Sequence, residues 1–263
     1  MDRITSIQNP RIKNILQLSK NKERREQGLV TIEGARELSL ALNAGYKPES
    51  VFICPEIYAK SEYPGLIKRL PAEIFVEISP AIFTKLAYRE QSDGLITIVK
   101  PINHSLGSLK LPSNPFVIIL ESVEKPGNLG AILRTADAAK AAAVIVCDPN
   151  TDIYNPNAIR SSVGCLFTVQ VGIGTSSETL EWLRENKLKS FAAELTASNW
   201  YHECDFTGPS AIVMGTEADG LTDFWLQNAD ARIKIPMRGE IDSLNVSVST
   251  AILTFEAMRQ RGF

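Results

Sequence analysis

Two kinds of apolar pattern alternate along this chain: short runs of β-branched and aliphatic residues bounded by turn residues, and segments in which apolar positions recur every three or four residues. Before residue 100 the runs at 29–32, 50–53, 73–76 and 95–99 alternate with helical patterns at 10–18, 34–44 and 79–88. That alternation predicts a small α/β domain. The stretch 101–115 is rich in Pro, Gly, Ser and Asn and has no sustained apolar period, so it reads as a linker. Beyond it the runs strengthen, at 116–120, 143–147, 167–171, 190–193, 211–214 and 231–235. Continuously apolar runs of this length predict strands covered on both faces, hence a mostly parallel sheet. Helices are expected at 129–140, 155–163, 177–186, 221–228 and 245–260. The last has Val248, Ala251, Ile252, Phe255 and Met258 on one apolar face. The expected division is a first domain over 1–100, a linker over 101–114 and a second α/β domain over 115–263.

Composition narrows the class. With 263 residues, 44% hydrophobic and 22% charged, the chain has the make-up of an ordinary globular protein, and disordered and fibrous classes are excluded. The longest apolar runs, 116–120 and 141–147, fall far short of the roughly 20 residues a membrane helix needs. The first twenty residues have no continuous apolar core and do not read as a secretory signal, so a cytoplasmic protein is expected. Cys54, Cys147, Cys165 and Cys204 lie far apart and form no C-x-x-C pair, which suits reduced thiols. Only His104 and His202 could join them, so no metal site is expected.

Charge changes the picture once the two halves are separated. Residues 1–114 hold 16 Lys+Arg against 12 Asp+Glu, a net of +4, while residues 115–263 hold 12 against 18, a net of −6. Most of the first excess lies in residues 1–36, where a polyanion could dock. Interleaved charges such as those of 20–26 equally suit a solvated helix.

Ligands of parallel α/β sheets bind beyond the carboxyl ends of the strands, so the loops after the strands carry the chemistry. After 116–120 comes a Pro-Gly turn followed by Asn128, Gly130 and Arg134. An Asn cap with an exposed Arg explains that spacing as well as a site does. After 211–214 comes Gly215-Thr-Glu-Ala-Asp-Gly220, two permissive glycines around the carboxylate Glu217, which also suits capping of a helix beginning near Leu221. The third loop leaves 231–235 through Pro236 and Gly239 and enters the last helix with Ser243, Asn245, Ser247 and Ser249. Capping would use one of these four, not all. Dinucleotide and P-loop glycine fingerprints are absent, and so is G-x-S-x-G.

Together, Asn128-x-Gly130-x-x-x-Arg134, Gly215-x-Glu217-x-x-Gly220, and Ile235-Pro-Met237 through Ser243-Leu-Asn-Val-Ser-Val resemble the three motifs of the SpoU (TrmH) family of RNA ribose 2′-O-methyltransferases. Ile159-Arg-Ser-Ser-Val-Gly164 is similar to that family's segment between its first and second motifs, and the part around Ile32-Glu-Gly34 looks like its substrate-binding domain. The resemblance implies a second domain with a deep trefoil knot in its C-terminal segment, in place of the unknotted doubly wound sheet that general topology rules favour. It implies S-adenosylmethionine as cofactor and a homodimer formed through the C-terminal domain. It carries cofactor contacts to Gly215, Ile235 and Leu244, with Leu195 and Met237 as neighbours. The catalytic set becomes Asn128, Arg134, Glu217, Ser243 and Asn245.

Activating a ribose hydroxyl near neutrality requires stabilising negative charge on that oxygen as the methyl moves. A guanidinium keeps its proton under nearly all protein conditions, so Arg134 is expected to stabilise the developing alkoxide or grip the adjacent phosphate. Glu217 would orient Arg134 or Asn128, while Asn128, Ser243 and Asn245 would fix the hydroxyl and the cofactor. No acidic strand-end residue is required to read the cofactor ribose. Phosphate contacts are expected from Arg3, Arg11, Lys13, Arg24 and Arg25, with Arg160 nearer the site. Ribosomal RNA is favoured over transfer RNA as substrate. A non-catalytic RNA-binding protein that keeps the fold is the main alternative to an enzyme.

Overall fold

The computed structural model describes residues 2–88 and 92–263, which fall into two compact units. The first comprises the chain up to Ile102 together with Tyr154–Thr168. Its elements are β1 (Asp2–Ile4), α1 (Pro10–Gln17), α2 (Asn21–Gln27), β2 (Val30–Glu33), α3 (Ala35–Asn43), β3 (Pro48–Ile53), α4 (Pro55–Tyr58), β4 (Phe75–Ile78), α5 (Pro80–Leu86) and β5 (Leu95–Val99). The strands form one sheet in the order β1-β4-β3-β5-β2, with β5 antiparallel to both β3 and β2. Side chains alternate across it as a period of two requires. Phe52 packs with Ile12, Ile15 and Leu18 on one face, while Val51 and Ile53 pack with Leu38 and Tyr58 on the other.

Residues 154–168, placed by sequence in the second domain, pack into this first unit. Burial of Tyr154, Ile159, Leu166 and Phe167 is the physical reason. The hydroxyls of Tyr46 and Tyr154 meet at 2.7 Å, and the rings of Tyr46 and Phe167 meet edge to face at 5.3 Å. Arg160 therefore belongs to this unit, where its guanidinium lies 5.6 Å from the ring centre of Tyr88.

Arg24, expected among the phosphate contacts, is only 4% exposed. Its Nη1 donates to the carbonyls of Leu18 and Ser19 at 2.8 Å each, tying α2 to the end of α1. Arg24→Ala is expected to lower stability by about 2–4 kcal/mol, because it removes charge-assisted bonds and strands buried carbonyls. Urea unfolding checks this.

The second unit comprises Asn103–Ile153 and Val169–Phe263. In chain order the elements from residue 116 are β6 (Phe116–Glu121), α6 (Pro126–Ala138), β7 (Ala143–Cys147), α7 (Pro156–Ser161, in the first unit), β8 (Val171–Gly174), α8 (Ser176–Glu185), β9 (Lys189–Ala193), β10 (Asn199–Trp200), β11 (Ser210–Met214), α9 (Asp223–Asn228), β12 (Ala231–Lys234) and α10 (Val246–Arg261). Seven parallel strands run in the order β10-β12-β9-β11-β6-β7-β8. All residues of β6, β7 and β11 are buried, as their unbroken apolar runs predict. From β6 the chain moves outward through β7 and β8, then returns to build β9 and β11 on the other side. The crevice that such a reversal opens lies at the carboxyl ends of β6 and β11.

Two details differ from the sequence reading. The strand expected at 167–171 begins at Val171 and contains Gly172 and Gly174, over which Leu106 and Leu109 pack so closely that an added Cβ on Gly172 would stand 3.0–3.1 Å from them. The stretch 103–114 is accordingly no free linker. The carbonyl of His104 accepts from Ile173 N–H at 2.7 Å, Gln170 bonds Lys110 through both backbone groups, and Leu106, Leu109 and Leu111 cover the core.

The last helix also faces differently from what its pattern suggests. Thr250, Leu253, Thr254 and Ala257 are its buried residues, and it packs on α6, β11 and β6. Val248 and Phe255 on the apolar stripe are 47% and 41% exposed. Among the described residues no helix is long and apolar enough to cross a membrane, and no group of three or more His, Cys, Asp or Glu could hold a metal ion.

Candidate active site

Three loops at the carboxyl ends of the strands of the second unit supply the site. Pro126 at the first helical position starts α6, which leaves Lys125 as its cap residue and puts Asn128 in the first turn. The loop after β11 turns back on itself: Thr216 N–H donates to the carbonyl of Gly220 at 2.9 Å, and Gly220 has φ +70°. Gly215 is obligatory there. A Cβ on it would stand 2.1–2.3 Å from the backbone of Gly220 and Leu221. The third loop ends at Asn245, whose Oδ1 caps α10 by accepting from Ser247 N–H at 2.9 Å.

Glu217 joins the three. Its Oε1 accepts from Asn128 Nδ2 at 2.8 Å and from Asn245 Nδ2, and its Oε2 pairs with Lys125 Nζ. Asn245 Nδ2 also reaches Asn128 Oδ1 at 3.2 Å. A carboxylate can only accept, so both asparagine amides must turn their NH2 groups toward it. The Lys125 bond first, and the Asn128 bond second, hold the Glu217 carboxyl below its ordinary range. It therefore stays ionised, and the hub stays intact, well into mild acid. Glu217 does not cap the next helix. Thr222 precedes α9, and its N–H and Oγ1 donate to Glu121 at 2.8 and 2.6 Å.

Leu195, Gly215, Ile235, Met237 and Leu244, the five expected cofactor contacts, all line one cavity of about 380 Å³, and Glu217 and Ser243 share its wall. That volume suits one small ligand. Of the expected catalytic set, Asn128, Glu217 and Asn245 are hydrogen-bonded together and Ser243 borders the cavity. Arg134 is not drawn in. Six residues beyond Asn128 on a helix of 3.6 residues per turn, it points about 120° away from it and sits about 9 Å further along the axis. It is exposed and, among the described residues, makes no hydrogen bond or ion pair.

Sequence reasoning missed Lys125, although the Lys-Pro-Gly-Asn order that sets it at the cap was visible. It also missed the buried brace behind the second loop. Glu121, the last residue of β6 and only 3% exposed, holds Thr222 and lies 3.3 Å from Ser176 Oγ, which in turn accepts from Trp225 Nε1 at 3.0 Å. An acidic residue closing an otherwise apolar strand was the available signal.

Residues 115–255, more than half of the chain, match the SpoU rRNA Methylase family. The chain belongs to that family. Residues 9–97 of this SpoU methylase match the MRM3-like substrate binding domain. The 23S rRNA (uridine(2479)-2′-O)-methyltransferase of Streptomyces viridochromogenes is 26% identical over 267 residues, which span 98% of this chain and 92% of that one. A crystal structure of an RNA 2′-O ribose methyltransferase matches with a TM-score of 0.85 at 38% identity, over 99% of this chain and 100% of the other. The AdoMet-bound rRNA methyltransferase from Sinorhizobium meliloti matches with a TM-score of 0.88 at 27% identity, over 98% and 97%.

Proposed function

We propose that this chain transfers a methyl group from S-adenosylmethionine to a ribose 2′-hydroxyl of ribosomal RNA. The observation that carries this reading is that all five cofactor contacts implied by the resemblance line one and the same cavity, bordered by the Glu217 hub. The residues fit the cofactor. Apolar Ile235, Leu244 and Met237 suit an adenine, and the closely folded Gly215 loop presents backbone where any Cβ would intrude. When bound, the cofactor supplies an electrophilic methyl carbon on a sulfonium. The rest falls to the chain. Glu217 fixes the amides of Asn128 and Asn245, Ser243 offers a hydroxyl at the cavity wall, and the exposed, unpaired guanidinium of Arg134, which faces away from the hub, holds the phosphate next to the attacking ribose. Lys13 and Arg25 are exposed cations on the first unit suited to phosphates, and Arg3 and Arg11 share theirs with Glu77 and Asp2.

Purified chain, labelled S-adenosylmethionine and separate ribosomal and transfer RNA acceptors test the reading. Label should enter ribosomal RNA as a 2′-O-methylnucleoside. Label in transfer RNA alone would move the substrate, and label in neither would favour a binding protein.

The same reading includes a cytoplasmic location, the trefoil knot and a homodimer. The return of α10 to α6, β6 and β11, after the chain has crossed to β12 beyond β9, supports the knot. The outward stripe Val248, Ala251, Ile252, Phe255 and Met258 supports the dimer, since an apolar helix face of this length is costly to leave in water. A Val248→Glu, Phe255→Glu double variant is expected to sediment as a folded monomer where the native chain sediments as a dimer.

A further inference from the structure

Glu194 follows the last residue of β9 and lines the cofactor cavity beside Leu195. Its side chain is 12% exposed. Oε2 accepts from Thr196 Oγ1 at 3.1 Å. Oε1 is buried and, among the described residues, receives no hydrogen bond, although Arg232 Nε stands 3.2 Å away as an ion-pair partner. The side chain of Arg232 is 51% exposed, so this cation sits largely in solvent while the carboxylate it faces does not. A sequestered carboxylate with open acceptor capacity is costly unless donors complete its shell.

We propose that Glu194 reads the vicinal hydroxyls of the cofactor ribose. The assignment rests on the reading of the cavity as an S-adenosylmethionine site. A carboxylate accepts and never donates, and a ribose diol presents two adjacent donors to its oxygens. Ligands of open parallel sheets bind outside the carboxyl ends of the strands near the crevice where the strand order reverses, and in the dinucleotide-binding form of that sheet an acidic side chain makes this contact to the cofactor ribose. Glu194 stands just past the carboxyl end of β9, one strand from the reversal, since β9 adjoins β11 and β11 adjoins β6. Of the other carboxylates that line the cavity, Glu217 is already taken by Lys125, Asn128 and Asn245, and Asp219 and Asp242 are exposed to solvent, which satisfies their oxygens. The cofactor ribose is thus recognised by a side chain that lies outside all three motifs.

Calorimetry on the full chain with S-adenosylhomocysteine and its 2′,3′-dideoxy analogue tests this. The native protein is expected to bind the dideoxy analogue at least about tenfold more weakly, the effect of losing hydrogen bonds to a buried charge. Glu194→Gln should weaken S-adenosylhomocysteine by a similar factor and leave the dideoxy analogue unchanged, so that discrimination disappears. Equal weakening of both ligands would assign the carboxylate to another donor, such as the ammonium of the amino-acid tail, and overturn the proposal. Unchanged affinities with only a lower Tm would reduce Glu194 to the partner of Arg232 and overturn it too. Native protein that binds both ligands equally overturns it without any variant. Native protein that binds neither removes the cofactor reading, and the proposal with it.

Discussion

Gly215→Ala is expected to abolish cofactor binding, with affinity for S-adenosylhomocysteine falling at least about 100-fold, which corresponds to ~2.7 kcal/mol. The added methyl would meet the carbonyl carbon and oxygen of Gly220 and the amide nitrogen of Leu221 at 2.1–2.3 Å. These are backbone atoms of a loop closed by the Thr216–Gly220 hydrogen bond, so no side-chain rotation relieves the clash and the loop itself must open. Opening it displaces Glu217 and with it the contacts to Asn128 and Asn245. Gly220→Ala should be milder. Its Cβ would meet nothing within 4 Å, and the penalty is only that of φ +70°, about 1 kcal/mol for an L-residue held in the left-handed region. Calorimetry of both variants, with circular dichroism to show that the sheet persists, checks the order of effects. If Gly215→Ala bound the cofactor as the native chain does, the loop would not be the cavity wall.

Arg134→Ala is expected to leave cofactor affinity within about twofold and to lower kcat by about 10²-fold, the scale for losing a clamp that positions the attacking ribose through its phosphate. The separation follows from its position. Arg134 lies outside the cavity lining and has no partner within the described chain that its loss would disturb. Arg134→Lys should retain partial activity, because an ammonium still supplies positive charge though not the planar fork. Single-turnover kinetics at saturating RNA measures both. Complete inactivity of the lysine variant with normal RNA affinity would count against a simple charge contact to the phosphate and in favour of a role that needs the guanidinium's geometry.

The outcome of reading this chain as sequence divides along a physical line. Features written in local pattern survived. The unbroken apolar runs of β6, β7 and β11 became wholly buried parallel strands, and of the three loops named for their polar residues the second and third line one cavity while all three meet in the hub at Glu217. Features set by tertiary packing did not. Arg24 looked like one more surface cation because charge carries no record of burial, yet it ties two helices together. Leu106, Leu109 and Leu111 sit on irregular backbone and show no period, so the segment that covers β8 read as a linker. Gly172 and Gly174 disguised that strand, since they leave room for those leucines. The stripe on α10 was visible, but periodicity cannot say which of two faces meets the core. Here Thr250 and Thr254 point inward while Val248 and Phe255 point out. Lys125 and Glu121 were passed over because each gains its meaning from a residue about a hundred positions away, Glu217 and Thr222 respectively.

Ribose methylation mapped at nucleotide resolution across ribosomal RNA, from cells with and without this chain, tests the central claim most directly. One 2′-O-methyl group should vanish with the chain, return when the native sequence is restored, and stay absent when Gly215→Ala is supplied instead. An unchanged ribose-methylation map, or a loss confined to methyl groups on bases, would contradict the account.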